Sequence, residues 1–150
     1  MHVLEKLSVR CFVDTNIWLY AFVESNGDQK RIAAKAIVQS CDVVISTQVI
    51  NETCVNLLKK TSLQEIEIRQ LVAAFYEKYT VVEIEQGTFL TASELREKYS
   101  LSFWDSVIVA SALRTNCSIL YTEDMQDGLK VEGKLAIVNP FKAEEHILPR

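Results

Sequence analysis

The sequence predicts an α/β fold: a central, mainly parallel sheet of four to five strands flanked by helices. Two observations predict it. Short apolar runs rich in Val, Ile and Leu recur between stretches whose apolar residues fall three and four apart, so strands alternate with helices. Four glycines and two prolines in 150 residues argue against a loop-rich or sandwich design. The length suits one domain with one core, and no repeat, low-complexity stretch or linker divides it. Residues 1–150 therefore read as a single domain, with its core over about 9–138.

Residues 9–13 read as a buried strand, and 15–23 as a short helix ended by the polar turn Glu24-Ser25-Asn26-Gly27-Asp28. Ile32, Ala33, Ala36 and Ile37 give residues 30–39 a helical stripe. Residues 42–45 form the second strand. Ser46 is placed to cap a helix running to about Lys60, with Ile50, Cys54, Leu57 and Leu58 on its apolar face. Ser62 and Glu65 have the spacing of a capping box and open a helix to about Tyr79. Residues 80–84 are the third strand, followed by a helix to about Lys98. Ser102 and Asp105 open the next helix, which Asn116 ends. Residues 118–121 form the fourth strand, Asp127-Gly128 a turn, and residues 135–138 a last short strand before Asn139-Pro140.

Hydrophobic residues at 49% and charged residues at 24% exclude a disordered chain. No apolar run is long enough to cross a bilayer, and residues 1–10 lack a signal-peptide core, so the expected compartment is the cytoplasm. A net charge of −4 and a pI near 5.2 disfavour a simple nucleic-acid-binding module, whose affinity rests on Lys and Arg. They are compatible with a metal-dependent nuclease, whose cation site accounts for part of the acid excess. Cys11, Cys41, Cys54 and Cys117 form no C-x-x-C pair and read as reduced thiols. His2 and His146 lie near the two ends, which leaves acid chemistry to carboxylates.

Four carboxylates stand at the ends of apolar runs: Asp14, Glu52, Asp105 and Asp124. In an alternating α/β protein, ligands collect outside the carboxyl ends of the strands. Acids gathered there repel one another unless a hard, oxygen-seeking cation lies between them, which points to Mg²⁺ or Mn²⁺ and to phosphate chemistry. Each acid also has an ordinary reading. Asp14 suits a helix N-cap, with Asn16 beside it as a second holder of its carboxylate or a turn residue. Glu52 falls opposite the apolar stripe of its helix, as a solvated residue does. Asp105 falls among Ile108, Val109 and Ala112, where a carboxylate must be paired, metal-bound or protonated, or it serves Ser102 as the acid of a capping box. Asp124 suits a turn, with Glu123 and Asp127 competing beside it and Thr122 placed to orient it or an attacking water. Trp104 reads as core or cleft wall. Lys59, Lys60, Lys30 and Arg31 read as solvated helix residues.

Four segments in this order resemble the PIN domain, and within it the VapC-type toxin ribonucleases of toxin–antitoxin pairs. They are Phe12-Val13-Asp14-Thr15-Asn16-Ile17, Ile45-Ser46-Thr47-Gln48-Val49-Ile50-Asn51-Glu52, Trp104-Asp105-Ser106, and Leu120-Tyr121-Thr122-Glu123-Asp124. The resemblance spans residues 9–138. It implies that Asp14, Glu52, Asp105 and Asp124 are the catalytic and metal-holding acids, with Thr122 as the polar residue after the fourth strand. It also implies an RNA substrate, an antitoxin partner whose tail occupies the cleft, and a homodimer. The chain departs from the family in crowding three acids, Glu123, Asp124 and Asp127, where members often have one.

A metal-dependent endoribonuclease is accordingly the leading expectation, with the cation lowering the pKa of a water for attack on phosphorus. The alternatives are a phosphoryl-accepting or phosphatase α/β domain and a catalytically degenerate interaction module. Phe22, Val23, Leu57, Leu58 and Leu63 flank helix ends and offer apolar surface for a two-fold contact.

Overall fold

The computed structural model describes residues 9–23 and 28–142. Residues 24–27 of the expected turn, the N-terminal residues 1–8, His2 and His146 lie outside the described residues. Six strands form one sheet: β1 (Arg10–Val13), β2 (Asp42–Ser46), β3 (Thr80–Val82), β4 (Ile119–Tyr121), β5 (Lys130–Val131) and β6 (Leu135–Val138). Their spatial order is β3-β2-β1-β4-β6-β5, parallel throughout except for the β5–β6 pair.

β1 lies at the centre, with Phe12 opposite Val44 on one side and Leu120 on the other. Cys11, Phe12, Val13, Val44, Ile45, Leu120 and Ile137 are fully enclosed, as strands covered on both faces require. From β1 the chain moves outward to β2 and β3, then returns to the other side of β1 for β4. The topological switch point therefore falls between β1 and β4, and the crevice it leaves opens above their carboxyl ends.

Among the described residues, the helices α1 (Thr15–Phe22), α2 (Gln29–Ser40), α3 (Thr47–Lys60), α4 (Glu65–Lys78), α5 (Gln86–Lys98) and α6 (Phe103–Arg114) cover the sheet. α1 packs on α2 and α3, and α5 pairs with α6. Ser46 ends β2 and caps α3, its hydroxyl accepting the Val49 N–H at 3.2 Å. Ser102 caps α6 in the same way through the Asp105 N–H at 3.1 Å. Asn116, which follows the C-cap of α6, takes φ +60, a left-handed conformation that Asn tolerates.

The structure departs from the sequence expectations in four places. The capping box of α4 uses Gln64 and Glu67, whose carboxylate accepts the Gln64 N–H at 2.9 Å, rather than Ser62 and Glu65. β3 stops at Val82 as a short edge strand. β5 was not anticipated; it pairs with β6 through a tight turn in which Glu132 and Gly133 both have positive φ. On α3, Ile50 and Leu57 are buried but Leu58 is 38% exposed, so the stripe is narrower than expected. The four cysteines are free thiols, Cys11 and Cys117 buried. Among the described residues, no helix is long and apolar enough to cross a membrane.

Candidate active site

Asp14 leaves the sheet directly after β1, its N–H still bonded to the Tyr121 carbonyl of β4 at 3.0 Å. Its extended backbone puts it at the N-cap of α1, where Oδ1 accepts the Thr15 N–H at 2.7 Å. Oδ2 accepts the Thr122 hydroxyl at 2.8 Å. Capping thus takes one oxygen and leaves the carboxylate at the switch point. Burial, the largest influence, pushes its pKa up to about 6; the Thr122 and Thr15 donors oppose the rise, and the charges of Glu52 and Asp105 add to it.

The loop after β4 is tied to α1 by one amide. Asn16 Nδ2 donates to Asp124 Oδ2 at 2.9 Å, while Asn16 Oδ1 accepts the Glu123 N–H at 3.2 Å. The Asp124 N–H donates to the fully buried Thr122 hydroxyl at 3.3 Å. Asn16 therefore holds Asp124, not Asp14, and Thr122 donates to Asp14, not Asp124. The competing acids are committed elsewhere. Glu123 pairs with Lys30 at 2.6 Å and accepts the Tyr20 hydroxyl at 2.7 Å. Burial opposes its ionisation, but Lys30 and Tyr20 outweigh that and hold its pKa below the usual range. Asp127 Oδ1 accepts the Asn139 N–H at 2.8 Å. Of the three, Asp124 lines the cleft.

Glu52 and Asp105 face this pair from α3 and α6. Both are half-buried, and burial chiefly raises both pKa values. Asp105 adds to the rise of Glu52, and Asp124 to that of Asp105. Gln48, one turn before Glu52, brings its amide close enough to oppose the rise, yet Glu52 Oε1 is buried with no bond of full geometry. The Thr15 hydroxyl is buried without a partner as well. The nearby Ser102 hydroxyl opposes part of the rise of Asp105.

All four acids line one cleft of about 300 Å³, together with Thr15, Asn16, Asn56, Lys60 and Trp104. The charges of Glu52, Asp105 and Asp124 each push up the pKa of a neighbouring acid in the cleft. Among the described residues no three acidic, Cys or His side chains close tightly enough round a single point to hold a metal ion. The donor set is all oxygen, and buried unpartnered oxygens of Glu52 and Thr15 border it, which fits a hard divalent cation. Lys60 and Asn56 were not anticipated in the cleft. The signal was their spacing of four and eight from Glu52, which keeps all three on one face of α3.

The PIN domain family profile matches residues 11–127. The chain belongs to the PIN domain family. Solved structures share the fold of this PIN domain. One is a chain of a toxin–antitoxin complex from Klebsiella pneumoniae (TM-score 0.65, 22% identity, 87% of this chain and 97% of that one). A second is VapC20, a Sarcin-Ricin loop cleaving toxin of Mycobacterium tuberculosis (TM-score 0.59, 22% identity, 76% and 89%). A third is FitAcB from Neisseria gonorrhoeae (TM-score 0.59, 14% identity, 87% and 98%). A search of curated protein sequences finds no significant match. PIN domains are generally nucleases.

Proposed function

We propose that this PIN domain is a Mg²⁺- or Mn²⁺-dependent endoribonuclease acting in the cytoplasm as the toxin of a type II toxin–antitoxin pair. The observation that carries the reading is the convergence of Asp14, Glu52, Asp105 and Asp124, from four separate segments, on one cleft at the switch point. The nuclease character of the family supports it, as do the toxin–antitoxin complex and the RNA-loop-cleaving toxin among the similar structures. Asp14, Asp105 and Asp124 hold the cation directly or through water, and Glu52 is a further ligand or orients the nucleophile. A divalent cation bound there supplies positive charge to the scissile phosphate and lowers the pKa of a water. Thr122 and Asn16 keep the Asp14 and Asp124 carboxylates in place, as outer partners of metal-holding acids do.

The test is Mg²⁺-dependent cleavage of RNA by Asp14→Asn and Asp105→Asn, with circular dichroism to verify the fold. Both variants are expected to lose at least about a hundredfold in rate. Unchanged cleavage in both overturns the mechanism.

The partners follow from the same reading. An antitoxin arginine that reached the carboxylate cluster would pair with it bidentately and displace the cation. Phe22 and Leu58, 39% and 38% exposed, are apolar surface available for an isologous homodimer, whereas Leu57 is consumed by the chain's own core. Light scattering at micromolar concentration should return about twice 17.1 kDa; the monomer mass alone counts against the dimer.

A further inference from the structure

Building on the nuclease reading, we propose that the wall of the cleft beyond the acids is a clamp for single-stranded RNA. Trp104 stacks a base next to the scissile phosphate, and Lys60 holds a neighbouring phosphate.

On one side, α3 presents Glu52, Asn56 and Lys60 at successive steps of four, and all three line the cleft. The stripe passes from carboxylate to amide to ammonium, so the cleft is acidic at the sheet and basic at the far end of the helix. Lys60 is the one basic residue among the lining residues. Its ammonium forms no ion pair or hydrogen bond among the described residues. An ammonium beside a carboxylate cluster, yet left unpaired, suits the phosphate that flanks the reacting one.

On the other side, Trp104 directly precedes Asp105 on the first turn of α6 and is 67% exposed. Phe103 meets it edge-on at 6.2 Å, and the Arg96 guanidinium lies 4.3 Å over the Phe103 ring, which steadies this turn. An exposed tryptophan also suits a protein anchor, but such anchors sit in largely apolar, desolvated patches. Around Trp104 the exposed Phe103 adds an apolar neighbour, but the cleft itself offers Asp105, Asp124, Asn56 and Lys60 beside Leu19 and Ile108. A ligand with a flat π-face joined to phosphates matches that mixture. A base reaches the ring only when it is released from a duplex, so Trp104 engages an unpaired nucleotide.

The chain has two tryptophans, and Trp18 is fully buried, so exposed-tryptophan emission reports Trp104. A ten-nucleotide single-stranded RNA of mixed sequence, titrated with Mg²⁺ into Asp14→Asn, should quench that emission. Duplex RNA of the same sequence should not, and Trp104→Phe in the same background should abolish the signal. In the otherwise intact protein, Trp104→Ala should raise KM about tenfold, the loss of one stacked base, with kcat little changed and Trp104→Tyr largely restoring it. Lys60→Gln should raise KM and lower the salt slope of log affinity by about 0.7, a change Trp104→Ala should not produce. Unaltered KM in both variants, with Asp14→Asn inactive, overturns the clamp and leaves the nuclease standing. Trp104→Ala that alters the mass in light scattering but not KM assigns the ring to a protein interface and also overturns the clamp. If Asp14→Asn and Asp105→Asn both cleave like the parent, the nuclease mechanism falls, and quenching alone then judges the clamp.

Discussion

At the residue scale, Asp14 combines the demands of fold and chemistry. It is 5% exposed, and its pKa is about 6 against an ordinary 3.8. The folded state therefore holds its proton more tightly than the unfolded chain does. The resulting stabilisation is complete below about pH 4 and is lost as pH rises through about 6. In a chelator, the parent should lose on the order of 3 kcal/mol from this group between pH 4 and 7, an amount Asp14→Asn does not lose. Urea melts of the two proteins at pH 4.5 and 7 measure it. Asp14→Asn should gain on the parent as pH rises, because its amide oxygen can still accept from Thr15 and Thr122. Parallel profiles would show that burial of the charge is less costly than its surroundings indicate. The sequence made the place of Asp14 legible, an acid directly after an apolar strand, but left helix capping and metal ligation both open for it. The partners of the acids were less legible: which oxygen Thr122 and Asn16 reach depends on how β1 and β4 abut, across 108 residues of chain. For the same reason, the sequence left Glu123, Asp124 and Asp127 as competitors, and only the ion pair to Lys30 and the bond to Asn139 separate them.

At the scale of the element, α3 sets the geometry of the cleft. Its start is fixed by one buried hydroxyl, Ser46, bonded to the Val49 N–H, and from there Gln48, Glu52, Asn56 and Lys60 follow at steps of four. Ser46→Ala should cost about 1 kcal/mol, the usual worth of an N-cap, and lower Tm by about 2–4 °C with an unchanged denaturant slope. Equilibrium unfolding checks it, and a loss several times larger would mean that Ser46 also supports the end of β2. The helix itself was legible from its cap and its apolar spacing. The role of its polar face was not, since a helical wheel places Glu52 away from the core and cannot distinguish open solvent from a cleft formed by α6. Trp104 was ambiguous for a related reason: an aromatic at the first turn of a helix reads as core unless the neighbouring turn is known to be exposed. β5 escaped because two residues carry no periodicity, although Gly133 marked the turn that creates it.

At the scale of the whole molecule, the acid cleft gathers like charges whose repulsion a bound cation would relieve. The central sheet brings Asp14 and Asp124 together at the switch point, and two helices add Glu52 and Asp105, so the folded state concentrates charge that the unfolded chain spreads out. Any ion that binds this arrangement and not the unfolded chain stabilises the fold by mass action. At a free Mn²⁺ concentration about a hundredfold above its Kd, that amounts to about 2.7 kcal/mol. For a domain of this size it corresponds to a rise in Tm of about 5–10 °C. The rise should be steeper at pH 7.5 than at pH 5.5, because bound metal requires ionised carboxylates and the burial of Asp14 favours its proton at the lower pH. Asp105→Asn and Asp14→Asn should each reduce the shift, while Leu58→Ser, on the outer face of α3, should leave it intact. Thermal melts across a Mn²⁺ series decide the point without any RNA present. A Tm indifferent to Mn²⁺ at both pH values would mean that the four acids repel one another without ever gathering an ion.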